Sequence, residues 1–104
     1  MNYRKKPIEV EAIQLFQTDF DFVFEEKRKI EPHISGFNHQ WLGGDIWISK
    51  GRDGKVKARV RTLEGEMEIK DRDWLIKGVH NGLYPCKPDI FNKTYDPIIP
   101  LIPK

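Results

Sequence analysis

The sequence predicts an α+β domain dominated by antiparallel strands, arranged as a strongly curved sheet or partial barrel, with one helix in the N-terminal half and a short C-terminal helix. Three observations carry this expectation. Residues 45–79 alternate apolar and charged side chains with the period of strands, broken by Gly51-Arg52-Asp53-Gly54 and Glu64-Gly65. Residues 18–30 combine apolar positions at helical spacing with acidic and basic ends. The length of 104 residues suits a single core. That core is expected within residues 1–96, with 97–104 as an extended apolar tail.

The first strand is expected over 7–16, where Ile8, Val10 and Ala12 alternate with Glu9, Glu11 and Ile13. Thr18 then opens a helix with Asp19 and Asp21 in its first turn, Lys27, Arg28 and Lys29 in its last and Pro32 beyond. Thr18 and Asp21 are spaced as a near capping box. Phe20, Val23 and Phe24 form the buried stripe, and Phe22 points elsewhere, to a second contact or to solvent. Residues 33–45, with Gly36, Gly43 and Gly44, read as a loop that brings Phe37, Trp41 and Leu42 back to the core.

Ile46 and Ile48 define the inner face of a strand over 45–50. In the next strand Val56, Ala58, Val60 and Thr62 oppose Lys55, Lys57, Arg59 and Arg61, so apolar and cationic sets take opposite faces. A two-residue turn at Glu64-Gly65 pairs Leu63 with Glu66, Thr62 with Met67, Arg61 with Glu68 and Val60 with Ile69. Asp73 to Val79 and Leu83 to Cys86 form a further pair across His80-Asn81-Gly82. Pro88 starts a helix near 88–95, and the prolines at 97, 100 and 103 suit a polyproline-like end.

Two stretches carry a resemblance. The opening Tyr3-Arg4-Lys5-Lys6-Pro7-Ile8-Glu9-Val10-Glu11-Ala12 is one. The other is the block from Thr62-Leu63-Glu64-Gly65-Glu66-Met67 through Asp73-Trp74-Leu75-Ile76-Lys77-Gly78-Val79 to Tyr84-Pro85-Cys86-Lys87-Pro88-Asp89-Ile90-Phe91 and Thr94-Tyr95. Together they span a little under half of the chain and resemble a family of small uncharacterised bacteriophage and prophage proteins. The chain departs from the family pattern at Arg72, where a glycine commonly precedes the Asp-aromatic pair, and at Gly82, where glutamate is usual. The resemblance implies a phage-borne protein acting in a bacterial cytoplasm, and it implies no activity.

Composition narrows the function classes. Eighteen Lys and Arg against sixteen Asp and Glu leave +2, far from the balance of a dedicated nucleic-acid binder. The single cysteine, Cys86, makes no intrachain disulfide and fits a reducing compartment. Carboxylates interrupt the apolar residues after the basic start, so neither a signal peptide nor a membrane span is expected, and the chain reads as cytoplasmic. No cofactor and no metal is expected: His33, His39 and His80 match no ligand spacing, and Gly43-Gly44 lacks the form of a phosphate loop.

The remaining candidates are surfaces and one thiol. Lys55, Lys57, Arg59 and Arg61 stand about 7 Å apart along one strand face, near the spacing of phosphates in a single strand. Trp47 and Trp74 offer stacking surfaces beside them. Against this, Glu66 and Glu68 share the face, and a lysine-rich edge also guards against aggregation. Cys86 beside Lys87 is a candidate reactive thiol without an evident base, and otherwise a half-buried strand residue. Glu9 and Glu11 share a strand face and read as its solvated side. Phe22 is a candidate partner contact, and the tail residues Ile98, Ile99, Leu101 and Ile102, too apolar for a free end, are expected to cover either the chain's own sheet or a partner.

The expectation is therefore a non-enzymatic phage accessory protein that binds itself, as a homodimer, or a bacterial host protein, with no membrane partner. One alternative is a nucleic-acid module built on the cationic strand; another is a ligand-binding barrel or enzyme around Cys86.

Overall fold

A computed structural model describes residues 9–96, and the architecture is α+β. In chain order the elements are β1 (Glu11–Gln14), α1 (Gln17–Ile30), β2 (Gly36–Trp41), β3 (Gly44–Lys50), β4 (Val56–Thr62), β5 (Gly65–Ile69), β6 (Trp74–Lys77), β7 (Leu83–Cys86) and α2 (Pro88–Thr94). The strands form two open antiparallel sheets rather than one, ordered β1-β6-β7 and β2-β3-β4-β5. Neither closes into a barrel. The tail expected over 97–104, with Ile98, Ile99, Leu101 and Ile102, lies outside the described residues, as do residues 7 and 8 of the first expected strand.

The helix begins one residue earlier than its sequence signals suggest, and a different carboxylate caps it. A helix start leaves backbone N–H groups without intrahelical partners. Here Phe16 N–H donates to the Asp19 carboxylate at 2.8 Å and Gln17 N–H donates to Asp71 at 2.8 Å, while Asp21 accepts from the Gln17 side chain at 3.0 Å. The stripe is as spaced: Phe20 and Phe24 are buried, Val23 packs against the core, and Phe22 is 65% exposed. Phe20 meets Trp41 edge-on at 5.9 Å between centroids, and Phe24 lies 6.2 Å from Phe37, which seats α1 on the inner face of the four-stranded sheet.

The segment expected as a loop contains β2. Phe37, His39 and Trp41 alternate with Asn38 and Gln40, which is a strand period that the flanking glycines obscure. β2 pairs with β3 from Gly36↔Ser49 to Trp41↔Gly44 across Leu42 and Gly43, both with positive φ (52° and 75°), as a tight hairpin turn requires. Gly44 is needed for a second reason: a Cβ there would stand 2.0 Å from Leu83 Cδ1, so the glycine admits the β7 leucine against the four-stranded sheet.

The β4/β5 hairpin keeps its faces but not its expected register. The turn is Leu63-Glu64, so Thr62 opposes Gly65, Arg61 opposes Glu66, Val60 opposes Met67, Arg59 opposes Glu68 and Ala58 opposes Ile69. Thr62 determines this locally: its hydroxyl donates to the Gly65 carbonyl at 2.7 Å and accepts from Glu64 N–H at 3.1 Å, and Gly65 takes φ 117°. A two-residue slip preserves the inward set. Val60 and Ile69 are buried, but Met67, expected inside, is 44% exposed because β5 is an edge strand.

Between β5 and β6 the chain passes from one sheet to the other. Asp73, 8% exposed, accepts from Lys70 N–H at 2.9 Å, and Arg72 takes φ 73°, the left-handed region that favours glycine. Burial pushes the Asp73 carboxyl above its ordinary range, partly offset by that hydrogen bond. Leu15 N–H donates to the Asp73 carbonyl at 2.9 Å and Arg72 N–H to the Leu15 carbonyl at 2.8 Å, tying this turn to the end of β1. The β6–β7 turn is longer than expected: Gly78 N–H donates to the Gly82 carbonyl at 2.9 Å, with His80 and Asn81 both left-handed (φ 61° and 60°).

One core joins the parts, with Leu15, Phe20, Phe24, Ile46, Ile48, Ala58, Val60, Ile69, Leu75 and Leu83 all buried. The opposite face of the three-stranded sheet is covered by α2, where Phe91 stacks on Trp74 at 4.0 Å and 6°.

Candidate functional site

The outer face of the four-stranded sheet follows from its alternation. With Val56, Ala58 and Val60 buried, Lys57, Arg59 and Arg61 must point outward, and all three are exposed. Lys55 is exposed too, but it lies in the connection before β4 and not on the strand. β4 is an interior strand flanked by β3 and β5, so its cations do not serve as an edge guard.

Register then assembles the face in rows. Asn38, Trp47, Arg59 and Glu68 lie side by side across the four strands. In the next row Gln40 opposes Asp45 and Arg61 opposes Glu66. Three strand cations, Lys57, Arg59 and Arg61, thus share the face with three carboxylates, Asp45, Glu66 and Glu68. The expected Arg61–Glu68 pair is absent from the register, and the contact made is Arg59–Glu66 at 3.8 Å, about half exposed on both sides and worth at most about 1 kcal/mol. Arg61 and Lys57 have no ion-pair partner within 4.0 Å among the described residues.

Trp47 is the large apolar group here, 42% exposed on an otherwise polar surface. Its indole lies across β2 at Gly36: a Cβ there would fall 2.4 Å from Cζ2 and 2.9 Å from Cε2. Glycine is therefore required under the ring, and the ring is held down while its other side stays open. Beside it runs a shallow groove of about 700 Å³, bounded by Asn38, Trp47, Arg59, Arg61 and Glu66 on the sheet and by Asn81 of the β6–β7 turn. Sequence reasoning named the cations and Trp47, but it missed the contributions of Asn38, Asp45 and Asn81. The period-two pattern of β2 was the available signal for Asn38.

The other candidates lie apart from this face. Trp74 belongs to the other sheet, stacked against Phe91, and offers no free surface to a ligand at the cations. Phe22 stands exposed on α1, one helical turn from Glu25 and Glu26. Cys86 is half-buried on β7 and its thiol lies 3.6 Å from the Lys87 carbonyl. Burial, followed by the charges of Asp73 and Asp89, pushes that thiol up, away from the thiolate a nucleophile needs. His39 is wedged between Phe37 and Trp41, whose centroids lie 6.4 and 4.6 Å away, while His33 and His80 are exposed on separate turns. Among the described residues no group of three or more His, Cys, Asp or Glu is placed to hold a metal ion. Glu9 and Glu11 are both exposed, Glu11 opposite Lys77. No helix among the described residues is long and apolar enough to cross a membrane.

Compared with known proteins, the chain matches no family model, and no curated protein and no solved structure is significantly similar to it.

Proposed function

We propose that this chain is a non-enzymatic accessory protein of a bacteriophage that acts in the host cytoplasm by binding protein, and that its binding surface is the outer face of the four-stranded sheet around Trp47. The observation that carries this reading is an indole held on Gly36, half open to solvent, on a face that bears three strand cations and three carboxylates. Trp and Arg are the residues that dominate binding energy at protein interfaces, and a charge-balanced surround suits a partner that is itself a folded protein. Pre-seating the ring reduces the ordering cost on association.

The reading is tested by affinity capture from a bacterial lysate with the wild-type chain and with Trp47→Ala, both first verified as folded by circular dichroism. The expected result is a defined protein that co-purifies with the first and is lost or reduced at least about tenfold with the second, the loss of a ~1.4 kcal/mol contact. An identical set of captured proteins with both chains refutes it.

A nucleic-acid reading draws on one specific observation, that Trp47 stands beside Arg59 in register, pairing a stacking surface with a cation. The three carboxylates on the same face argue for the protein reading instead. Binding of labelled single-stranded DNA that weakens steeply, about tenfold or more between 50 and 200 mM salt, would reverse the preference.

A further inference from the structure

We infer that the outer face of the four-stranded sheet is self-complementary and that the first partner it takes is a second copy of this chain, related by a twofold axis lying between β3 and β4. The inference rests on the reading of this face as protein-binding and supplies its partner.

A twofold axis in the plane of the interface, running along the strands between β3 and β4, lays β3 of each copy over β4 of the other and β2 over β5, with each row facing the same row. The row through Asn38, Trp47, Arg59 and Glu68 then sets the Asn38 amide against Glu68 of the second copy, while the Trp47 indole, seated over β2 at Gly36, faces β5 of that copy. The next row continues the ladder one step beyond the Ile46↔Val60 pair. It sets Asp45 against Arg61 of the second copy and Gln40 against its Glu66. In these two rows every carboxylate meets a donor, twice by symmetry. No like charges oppose one another there. Arg61 has no ion-pair partner within its own chain among the described residues, so the contact with Asp45 displaces none.

The face is four strands wide. At ~4.8 Å per strand and ~3.4 Å per residue it covers roughly 350 Å² in projection, well below the ~800 Å² per partner of a stable interface. The dimer is accordingly weak, with dissociation in the range of tens to hundreds of micromolar, and salt-sensitive because its contacts are charged.

The test is sedimentation equilibrium of the full chain from about 10 µM to about 1 mM, a span that brackets an interface of this size. The wild-type mass is expected to rise toward twice the monomer mass. Asp45→Arg sets arginines against arginines across the twofold, and Arg61→Asp sets carboxylates against carboxylates. Each alone is expected to weaken association at least tenfold, and an equimolar mixture of the two is expected to associate as the wild type does, since each copy then supplies the charge the other lacks. If either reversal prevents folding, as judged by circular dichroism, Asp45→Asn and Arg61→Gln replace them with an expected weakening of about threefold each, a loss of ~0.7 kcal/mol. A wild-type chain that stays monomeric to 1 mM, neutral variants that associate unchanged, or a mixture that associates no better than its components overturns the twofold. The broader reading fails separately: a monomeric wild type whose capture of a bacterial protein depends on Trp47 removes only the self-association, whereas capture indifferent to Trp47→Ala removes the face itself.

Discussion

Replacing Gly36 by alanine is expected to change sign with the residue above it. Trp47 is 42% exposed, so more than half of its surface is covered, and its ring lies on the Gly36 backbone. A fully enclosed Trp buries ~150–250 Å², which puts the covered part on the order of 100 Å², or ~2.5 kcal/mol at ~25 cal/mol per Å². An alanine Cβ at 2.4 Å from Cζ2 cannot coexist with the seated ring, so the indole swings off and most of that cover is lost. Against this, a glycine within a strand costs ~0.5–1 kcal/mol relative to alanine through chain entropy, which the substitution recovers. The net effect in the wild type is a destabilisation of ~1–2 kcal/mol. In a Trp47→Ala background nothing is displaced, and Gly36→Ala is expected to stabilise by ~0.5 kcal/mol. Urea unfolding followed by far-UV circular dichroism, with unchanged m values, measures all four corners of the cycle. Effects of the same sign and within ~0.3 kcal/mol in both backgrounds would refute the seating of the indole on Gly36.

Two further outcomes follow from the packing. The Tyr84 hydroxyl, 3.2 Å from that of Tyr95, is pushed up to about 12 by burial first and by that hydrogen bond second. Because the folded value lies above the ordinary one, the folded state favours the neutral phenol; the stability this contributes is present below about pH 10 and lost as pH rises toward about 12. A tyrosinate absorbance titration should show a late step that Tyr84→Phe removes; no change in that variant would sink the assignment. Arg72→Gly should stabilise by roughly 0.5 kcal/mol in urea unfolding, since a left-handed arginine costs ~1–2 kcal/mol and glycine returns ~0.5–1 kcal/mol of that in unfolded-state entropy. The Arg72 side chain is largely exposed, and among the described residues its ion pair is a 4.0 Å contact with its neighbour Asp71, so little else is lost. A destabilised glycine variant would count against φ 73° as a source of strain.

Much of the site was legible in the sequence because it depends on alternation alone. Lys57, Arg59 and Arg61 had to share a face once Val56, Ala58 and Val60 shared the other, and the slip in the β4/β5 register did not disturb this because it was a two-residue slip. Which carboxylate stands opposite which arginine was not legible. That depends on whether the turn is Leu63-Glu64 or Glu64-Gly65, and the choice is made by a Thr62 hydroxyl that bridges two backbone groups.

What the chain's own order of residues determined is everything with a short period: α1, the inward and outward sets of β3 to β5, and α2 starting at Pro88. The tertiary structure decided the rest. β2 is a strand because β3 lies beside it, since Phe37, His39 and Trp41 bury a face only when paired. The division into two sheets turns on Asp73 and a left-handed Arg72 tied to Leu15, more than fifty residues back along the chain. Trp47 becomes a surface feature because a glycine in another strand lies beneath it. Local periodicity reports which side of an element is apolar, whereas these three features depend on residues far apart in sequence, whose proximity exists only after the core has formed.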